Sequence, residues 1–219
     1  IVGALFLLMA AGNWVFASLG LAGVLGIWLF GANVTTAVSL QMWASLNSFV
    51  MTAIPLFIFM GEVMLRSGIS DSLYTGISSW VGKLPGGLLH SNIASCALFA
   101  AISGSSIATS ATVGTVAIPD QTRRGYDKRL VIGSLSAAGT LGILIPPSLA
   151  MIVYGSWMEC SVAQLFMGGV VPGVLLAVLF SVYIAVRCSI DHPLTPRVAS
   201  TWTDRLHSFK DLWPGVVII

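Results

Sequence analysis

The sequence predicts an all-α protein that crosses a lipid bilayer several times. Its 219 residues carry ten basic and eight acidic side chains, 8% of the chain, against 56% hydrophobic residues and a mean hydropathy of +0.93. A water-soluble domain has about 25% charged residues and could not cover its surface with so few. The charges are also clustered: 1–61, 84–119, 130–158 and 160–186 contain none, and a helix needs roughly 20 apolar residues to span a bilayer core. These observations exclude a disordered chain, a nucleic-acid module and a secreted disulfide scaffold. Cys96, Cys160 and Cys188 have no metal-ligand spacing and read as small hydrophobes.

Residues 1–66 are expected to be scaffold transmembrane helices, with spans near 1–11, 14–30 and 48–65. Gly12-Asn13-Trp14 interrupts the first pair. From Gly31 to Asn47 the chain holds Asn33, Thr35, Thr36, Ser39, Gln41, Ser45 and Asn47, polar enough for a connection. Residues 67–83 are expected to be an interfacial connecting helix. Ser70 or Asp71 can cap its start, and Leu73, Ile77, Trp80, Val81 and Leu84 share a helical face. That face suits either the membrane interface or packing on neighbouring helices. The opening Ile1-Val2-Gly3 reads as a helix entered midway, and 213–219 as the start of a further segment, so a portion of a longer chain is expected.

The basic residues orient the spans. Arg66 and Lys83 flank the connecting helix, Arg123, Arg124, Lys128 and Arg129 share one short loop, and Arg187, Arg197, Arg205 and Lys210 lie in or beside the stretch 188–212. The connections 31–47 and 157–161 have neither Lys or Arg. Cytoplasmic loops collect basic residues, so every basic loop is expected inside and 188–212 is expected to be a cytoplasmic linker. Residues 48–65 then run inward, 84–121 go out and return, 130–157 run outward and 160–187 run inward as a transmembrane helix.

Two segments do not read as ordinary spans. Residues 84–121 must leave and return within about 17 residues per leg, roughly 26 Å, short for two full crossings. Their middle, Ser103-Gly104-Ser105-Ser106, is small and hydroxyl-rich. Backbone leaves a helix at membrane depth only where protein or a cavity surrounds it, so a re-entrant hairpin is expected. Within 128–158, Gly142-Ile143-Leu144-Ile145-Pro146-Pro147-Ser148 should break a transmembrane helix, because each proline removes a donor and disfavours helix before it. Gly133, Gly139 and Gly142 are expected to let the hairpin approach the break.

Broken helices present unpaired carbonyls at one end, which suit a hard cation such as Na⁺, and unpaired N–H groups at the other, which suit an anion. Candidate sodium ligands are Ser103, Ser106 and the carbonyls around Gly104, Ile145 and Pro146. No transition-metal site and no organic cofactor are expected. Glu62 stands four residues before Arg66, an ion-pair spacing. His90 is the one histidine inside an apolar run and reads as a satisfied polar residue.

Several stretches, in order, resemble the large membrane subunit of tripartite ATP-independent periplasmic (TRAP) transporters. They are Ile54-Pro55-Leu56-Phe57-Ile58-Phe59-Met60-Gly61-Glu62 with Leu65-Arg66-Ser67-Gly68-Ile69, then Lys83-Leu84-Pro85-Gly86-Gly87-Leu88, Ile102-Ser103-Gly104-Ser105-Ser106, Ile118-Pro119 and Arg124-Gly125-Tyr126-Asp127. Gly142–Ser148, Val153-Tyr154-Gly155 and Leu165–Gly173 continue the likeness. The resemblance implies half of an inverted-repeat, elevator-type transporter in the bacterial inner membrane, importing organic anions with sodium. It implies three further parties: a small membrane subunit, a periplasmic solute-binding protein and the organic anion itself. It also implies that the hairpin turn and the proline break line one wall of the substrate site, through Ser105, Ser106, Thr109 and Ser148. Many relatives have Ala-Asp after the turn; here Ala108-Thr109 stands there, a hydroxyl-only tip.

Two other classes fit parts of the pattern. An intramembrane serine hydrolase would use Ser103 or Ser105 with His90 as base, but 13 to 15 residues of helix separate them by about 20 Å. A structural membrane subunit would have no site of its own.

The orientation makes a direct prediction. With single cysteines in a Cys-free background, an impermeant thiol reagent on intact cells should label position 159 and not position 125. The reverse pattern would invert the topology.

Overall fold

The computed structural model describes residues 1–30, 34–81 and 84–190, and the linker expected over 188–212 and the segment 213–219 fall outside them beyond Ile190. Every regular element among the described residues is helical. Two compact units emerge, Ile1–Phe49 and Val50–Ile219.

The first unit holds α1 (Val2–Ala10), α2 (Val15–Phe30) and α3 (Val34–Leu46). Gly12, at φ +81°, turns the chain between α1 and α2, and the Asn13 amide closes on the Leu8 carbonyl at 3.2 Å. Ser18, Ala22 and Gly26 recur every four residues and are the buried face of α2. Small residues at this spacing let helix backbones approach within lipid. The polar stretch read as a connection is itself helical over Val34–Leu46, because it has no Gly or Pro there and its Leu, Gln, Met and Ala favour helix.

The second unit is built around α6 (Leu88–Ser103). α5 (Ile69–Val81), α7 (Ser106–Arg123), α8 (Lys128–Gly139) with a 3₁₀ turn at Thr140–Ile143, and α10 (Val162–Ile190) all pack on it. α4 (Phe49–Arg66) precedes them and α9 (Leu149–Trp157) lies between the break and α10. Leu88, Leu89, Ile93, Cys96 and Phe99 of α6 meet Val113 and Ala117 of α7 and Val131, Leu135 and Ala138 of α8 in one apolar core. Leu73, Tyr74 and Ile77 of α5 are buried too, so much of its apolar face is taken up by protein packing, while Trp80 stays half exposed.

The outward surface is apolar. α10 is 29 residues long, about 44 Å, and long and apolar enough to cross a bilayer. It exposes Val170, Val171, Val174, Leu175, Val178, Leu179 and Val182. Water would penalise such a stripe; hydrocarbon does not. α2 and α6 are apolar but shorter, at 16 residues each.

The family-like motif at 124–127 has a structural reason. Gly125, at φ +85°, ends α7 in a left-handed cap, with Tyr126 N–H on the Gln121 carbonyl and Gly125 N–H on the Thr122 carbonyl. The Tyr126 hydroxyl accepts from Leu88 N–H at 3.1 Å and so caps α6. The Asp127 carboxylate caps α8 by accepting from Arg129 and Leu130 N–H at 2.8 and 3.1 Å. Three residues thereby close three helix ends.

Above this loop lies a buried polar cluster that the sequence did not flag. Asn92 and Gln121 are wholly buried and exchange amide bonds at 2.6 and 3.2 Å. Asn92 also donates to Ser134 Oγ at 2.8 Å, and the Gln121 amide nitrogen approaches Tyr74 Oη at 2.8 Å and the Leu88 carbonyl at 3.0 Å. Burial raises the pKa of both the Tyr74 and Tyr126 phenols, so they stay neutral and accept these bonds. The cluster joins α5, α6, α7 and α8 at one level.

Replacing Gln121 by Leu should strand the Asn92 amide and the Tyr74 hydroxyl. The expected cost is about 1–3 kcal/mol per stranded group, read as a fall of several degrees in the melting temperature of the purified chain in detergent. An unchanged melting temperature would mean the cluster is not a structural lock.

Candidate functional site

Helix α6 ends at Ser103 because Gly104 adopts φ +59°, a left-handed conformation that glycine enters freely. Ser105 is extended and starts α7, its hydroxyl accepting from Ala108 N–H at 3.4 Å. The turn is therefore two residues long. On the other side, the helix that begins at Lys128 tightens into the 3₁₀ turn at Thr140–Ile143 and leaves helical geometry over Leu144–Ser148. It resumes as α9 at Leu149. The Pro146–Pro147 bond is cis.

The turn and the break touch. Leu149 N–H, at the first position of α9, donates to the Gly104 carbonyl at 3.2 Å. A Cβ on Gly104 would stand 2.6 Å from the Pro147 carbonyl oxygen, and one on Gly142 would stand 2.7 Å from Ser105 C and Ser106 N. A Cβ on Gly139 would collide with the Ser110 hydroxyl. Gly139 and Gly142 thus let the hairpin tip reach the broken helix. Gly133 does not share that role: a Cβ there would meet nothing within 4 Å, because it lies two turns nearer the start of α8.

The expected site residues fall in two groups. Ser105 and Ser106 are half-buried at the turn, and Ile145 and Pro146 are half-buried in the break. Ser106 Oγ donates to the Gly139 carbonyl at 2.7 Å, the last of α8. Thr109 and Ser148 are wholly buried. Thr109 Oγ1 bonds Ser103 Oγ at 2.9 Å between the hairpin legs, and Ser148 Oγ donates to the Ile143 carbonyl at 2.8 Å. In this conformation Thr109 and Ser148 support the turn and the break from behind and present no surface to a solute.

The donor chemistry suits a hard cation. Ser103, Ser106, Thr109 and Ser148 contribute hydroxyl oxygens that keep acceptor capacity while donating. No backbone N–H among the described residues bonds the carbonyls of Ile145 or Pro146. The Gly104 carbonyl already holds the Leu149 N–H and has one lone pair left. The first N–H groups of α7 and α9 belong to two helix N-termini brought to the same turn, the polarity that favours an anion.

The hydrolase pairing is not assembled. His90 sits in the first turn of α6, its Nε2 2.8 Å from the Pro85 carbonyl, while Ser103 ends the same helix, about 20 Å away. The Glu62–Arg66 pair is formed at 2.6 Å and exposed. The site's supporting residues Asn92 and Gln121 were missed by sequence reasoning; the available signal was one carboxamide in each leg of the hairpin.

Comparison with known proteins follows the same residues. The family model described as "Tripartite ATP-independent periplasmic transporter, DctM component" matches residues 2–219. A C4-dicarboxylate TRAP transporter large permease protein DctM of Pseudomonas aeruginosa is 41% identical over 183 residues, covering 83% of this chain and 43% of that protein. An ectoine/5-hydroxyectoine TRAP transporter large permease protein of Ruegeria pomeroyi is 37% identical over 192 residues, 85% of this chain and 44% of that protein. An isethionate TRAP transporter permease protein DctMQ of Oleidesulfovibrio alaskensis is 38% identical over 177 residues, 81% of this chain and 28% of that protein. The chain spans less than half the length of these relatives.

Close approach at two glycines can be tested against the third. Gly104→Ala and Gly142→Ala should lower the melting temperature by several degrees, since backbone must move to admit the methyl group. Gly133→Ala should leave it unchanged or raise it, because alanine favours helix by about 1 kcal/mol. Equal effects at all three would break the contact argument.

Proposed function

The chain belongs to the DctM component family of tripartite ATP-independent periplasmic transporters, a membrane permease family and not an enzyme family, and from that premise we propose that it forms one wall of a sodium-coupled site for organic anions. The observation that carries the proposal is the apposition of a hydroxyl-rich hairpin turn and a proline break, tied by the Leu149–Gly104 bond. Na⁺ is held by oxygens drawn from Ser103, Ser106 and the carbonyls of Gly104, Ile145 and Pro146. The anion meets Ser105, Ser106 and the N-terminal N–H groups of α7 and α9. Thr109 and Ser148 hold those groups in place.

The hairpin is re-entrant on this reading, and its legs move with α5 and α8 as one elevator body, a picture supported by the buried Asn92–Gln121 cluster. A small membrane subunit and a periplasmic solute-binding protein complete the system in a bacterial inner membrane. In this family the large subunit is lettered M and the small membrane subunit Q, and the relative named DctMQ joins the two letters in one permease, which supports a partner of that kind. The substrates named for the relatives, C4-dicarboxylate, ectoine and isethionate, support a small organic solute.

Uptake into proteoliposomes against Na⁺ concentration, with partners supplied, tests the reading. Ser106→Ala should weaken sodium affinity before maximal rate, since it removes one oxygen. Pro147→Ala should cost more, by letting helix re-form and consume the carbonyls. Arg66→Gln should keep the sodium dependence of the parent. If the first two keep that dependence and Arg66→Gln loses it, the site is elsewhere.

A further inference from the structure

The family-like stretch Leu165–Gly173 plays no part in the site described above. It lies in α10 and holds Gly168, Gly169 and Gly173. Glycine weakens a helix interior relative to alanine, so each of the three calls for a packing reason. Gly169 and Gly173 stand one turn apart on the buried face of α10. Gly168 is exposed, and a Cβ there would meet nothing within 4 Å.

The two buried glycines face the proline break. A Cβ on Gly169 would stand 2.7 Å from the Leu144 carbonyl oxygen and 2.5 Å from Met151 Cε. A Cβ on Gly173 would stand 2.8 Å from Ile145 Cγ1, 3.6 Å from Ile145 Cα and 3.7 Å from the Ile145 nitrogen. That oxygen and that nitrogen belong to one peptide group, the one joining Leu144 to Ile145 where the chain leaves helical geometry. The group lies against α10 with its oxygen at Gly169 and its nitrogen at Gly173, and its N–H donates to the Leu141 carbonyl at 2.8 Å. Gly155 of α9 makes the converse approach: a Cβ there would stand 2.7 Å from Val162 Cγ2 and 3.2 Å from Leu165 Cδ1 of α10. The break and α9 therefore meet α10 along one seam that glycine keeps narrow.

A peptide group is planar. With its oxygen, its nitrogen and the following Cα held, only the two torsions of Ile145 separate it from the Ile145 carbonyl. Pro146 confines Ile145 to extended conformations. The direction of the Ile145 carbonyl is thus set by where the preceding peptide rests. We propose that Gly169 and Gly173 are positioning residues, which seat the Leu144–Ile145 peptide on α10 and so aim the carbonyls of Ile145 and Pro146 at the sodium ion. The inference rests on the sodium reading proposed above and adds to it a helix that touches neither ion nor solute. Glycines that served helix packing alone would govern the amount of folded protein and leave sodium affinity as it is.

The test is uptake against Na⁺ concentration by the full permease reconstituted with its partners, at equal amounts of folded protein, with the melting temperature of each variant measured alongside. Gly173→Ala should raise the half-saturating Na⁺ concentration about tenfold, the order expected of one methyl group forced into a packed contact, and keep the maximal rate near that of the parent. In an Ile145→Ala background, where Cγ1 is gone, the same substitution should change it by less than about twofold. Gly168→Ala should leave it unaltered. Gly169→Ala presses on a backbone oxygen and should have the larger effect; if that variant does not fold, the Gly173 and Ile145 pair decides. Where the parent depends on sodium, a lower melting temperature for Gly173→Ala with the parent's half-saturation would overturn the proposal, as would an equal effect in both backgrounds. Parent uptake indifferent to sodium would instead strike the sodium reading, and the proposal with it.

Discussion

The arrangement depends on how closely two pieces of non-helical backbone can meet among packed helices. At the turn and at the break, peptide groups lose their helical partners, and each one left buried and unpaired costs about 1–3 kcal/mol. The structure brings the two defects together so that each repairs part of the other. Leu149 N–H, orphaned at the start of α9, finds the Gly104 carbonyl, and the Gly139 carbonyl, where α8 passes into the 3₁₀ turn, accepts from Ser106 Oγ. The Ile143 carbonyl is met from within the break by Ser148. Glycine at 104 and 142 is a condition of this repair, since a Cβ at either would occupy the contact itself.

Everything else in the larger unit serves to place that contact. α6 is buried along most of its length and fixes the turn at one end. At its other end Tyr126 caps it, and Asn92 joins it to Gln121 and Ser134. The legs of the hairpin are thus pinned at the base by neutral hydrogen bonds and at the tip by Ser103–Thr109. Neutral carboxamides and hydroxyls do this without the desolvation penalty of a buried ion pair. The charged residues stay at the helix ends, where Asp127 caps α8 and Arg124 pairs with Asp120 at 2.9 Å.

The helical membrane class was legible because 8% charge cannot cover a soluble surface and the uncharged runs are long enough for spanning helices. The interruption at Leu144–Ser148 falls where two prolines stand, and the one at Gly104–Ser105 where small residues remove the reason to stay helical. Other features were not legible. The hydroxyl and amide residues of α3 look like loop chemistry and predict a connection, yet helix satisfies the backbone and leaves Thr36, Ser39 and Gln41 exposed. Gly133 looks like Gly139 and Gly142 in sequence, and only the packing separates a contact glycine from one that faces open space. Asn92 and Gln121 are 29 residues apart, and their pairing is a property of the hairpin, invisible until both legs exist.

A site made only of neutral oxygens has an electrostatic consequence. No carboxylate occurs in 84–119 or 130–158, so a cation entering between the turn and the break would not be neutralised by these two segments. Its charge would persist in a medium of low effective dielectric, where a unit charge at 4 Å is worth about 4 kcal/mol even at an effective dielectric constant of 20. On the proposed reading, an organic anion relieves it. Cation and anion would then each bind more tightly in the presence of the other, and by linkage the two enhancements are equal. An aspartate at position 109 would neutralise the cation beforehand and shrink this coupling. Thr109 keeps the burden of neutralisation on the substrate, so on the proposed reading the hydroxyl-only tip is what makes sodium and anion depend on one another.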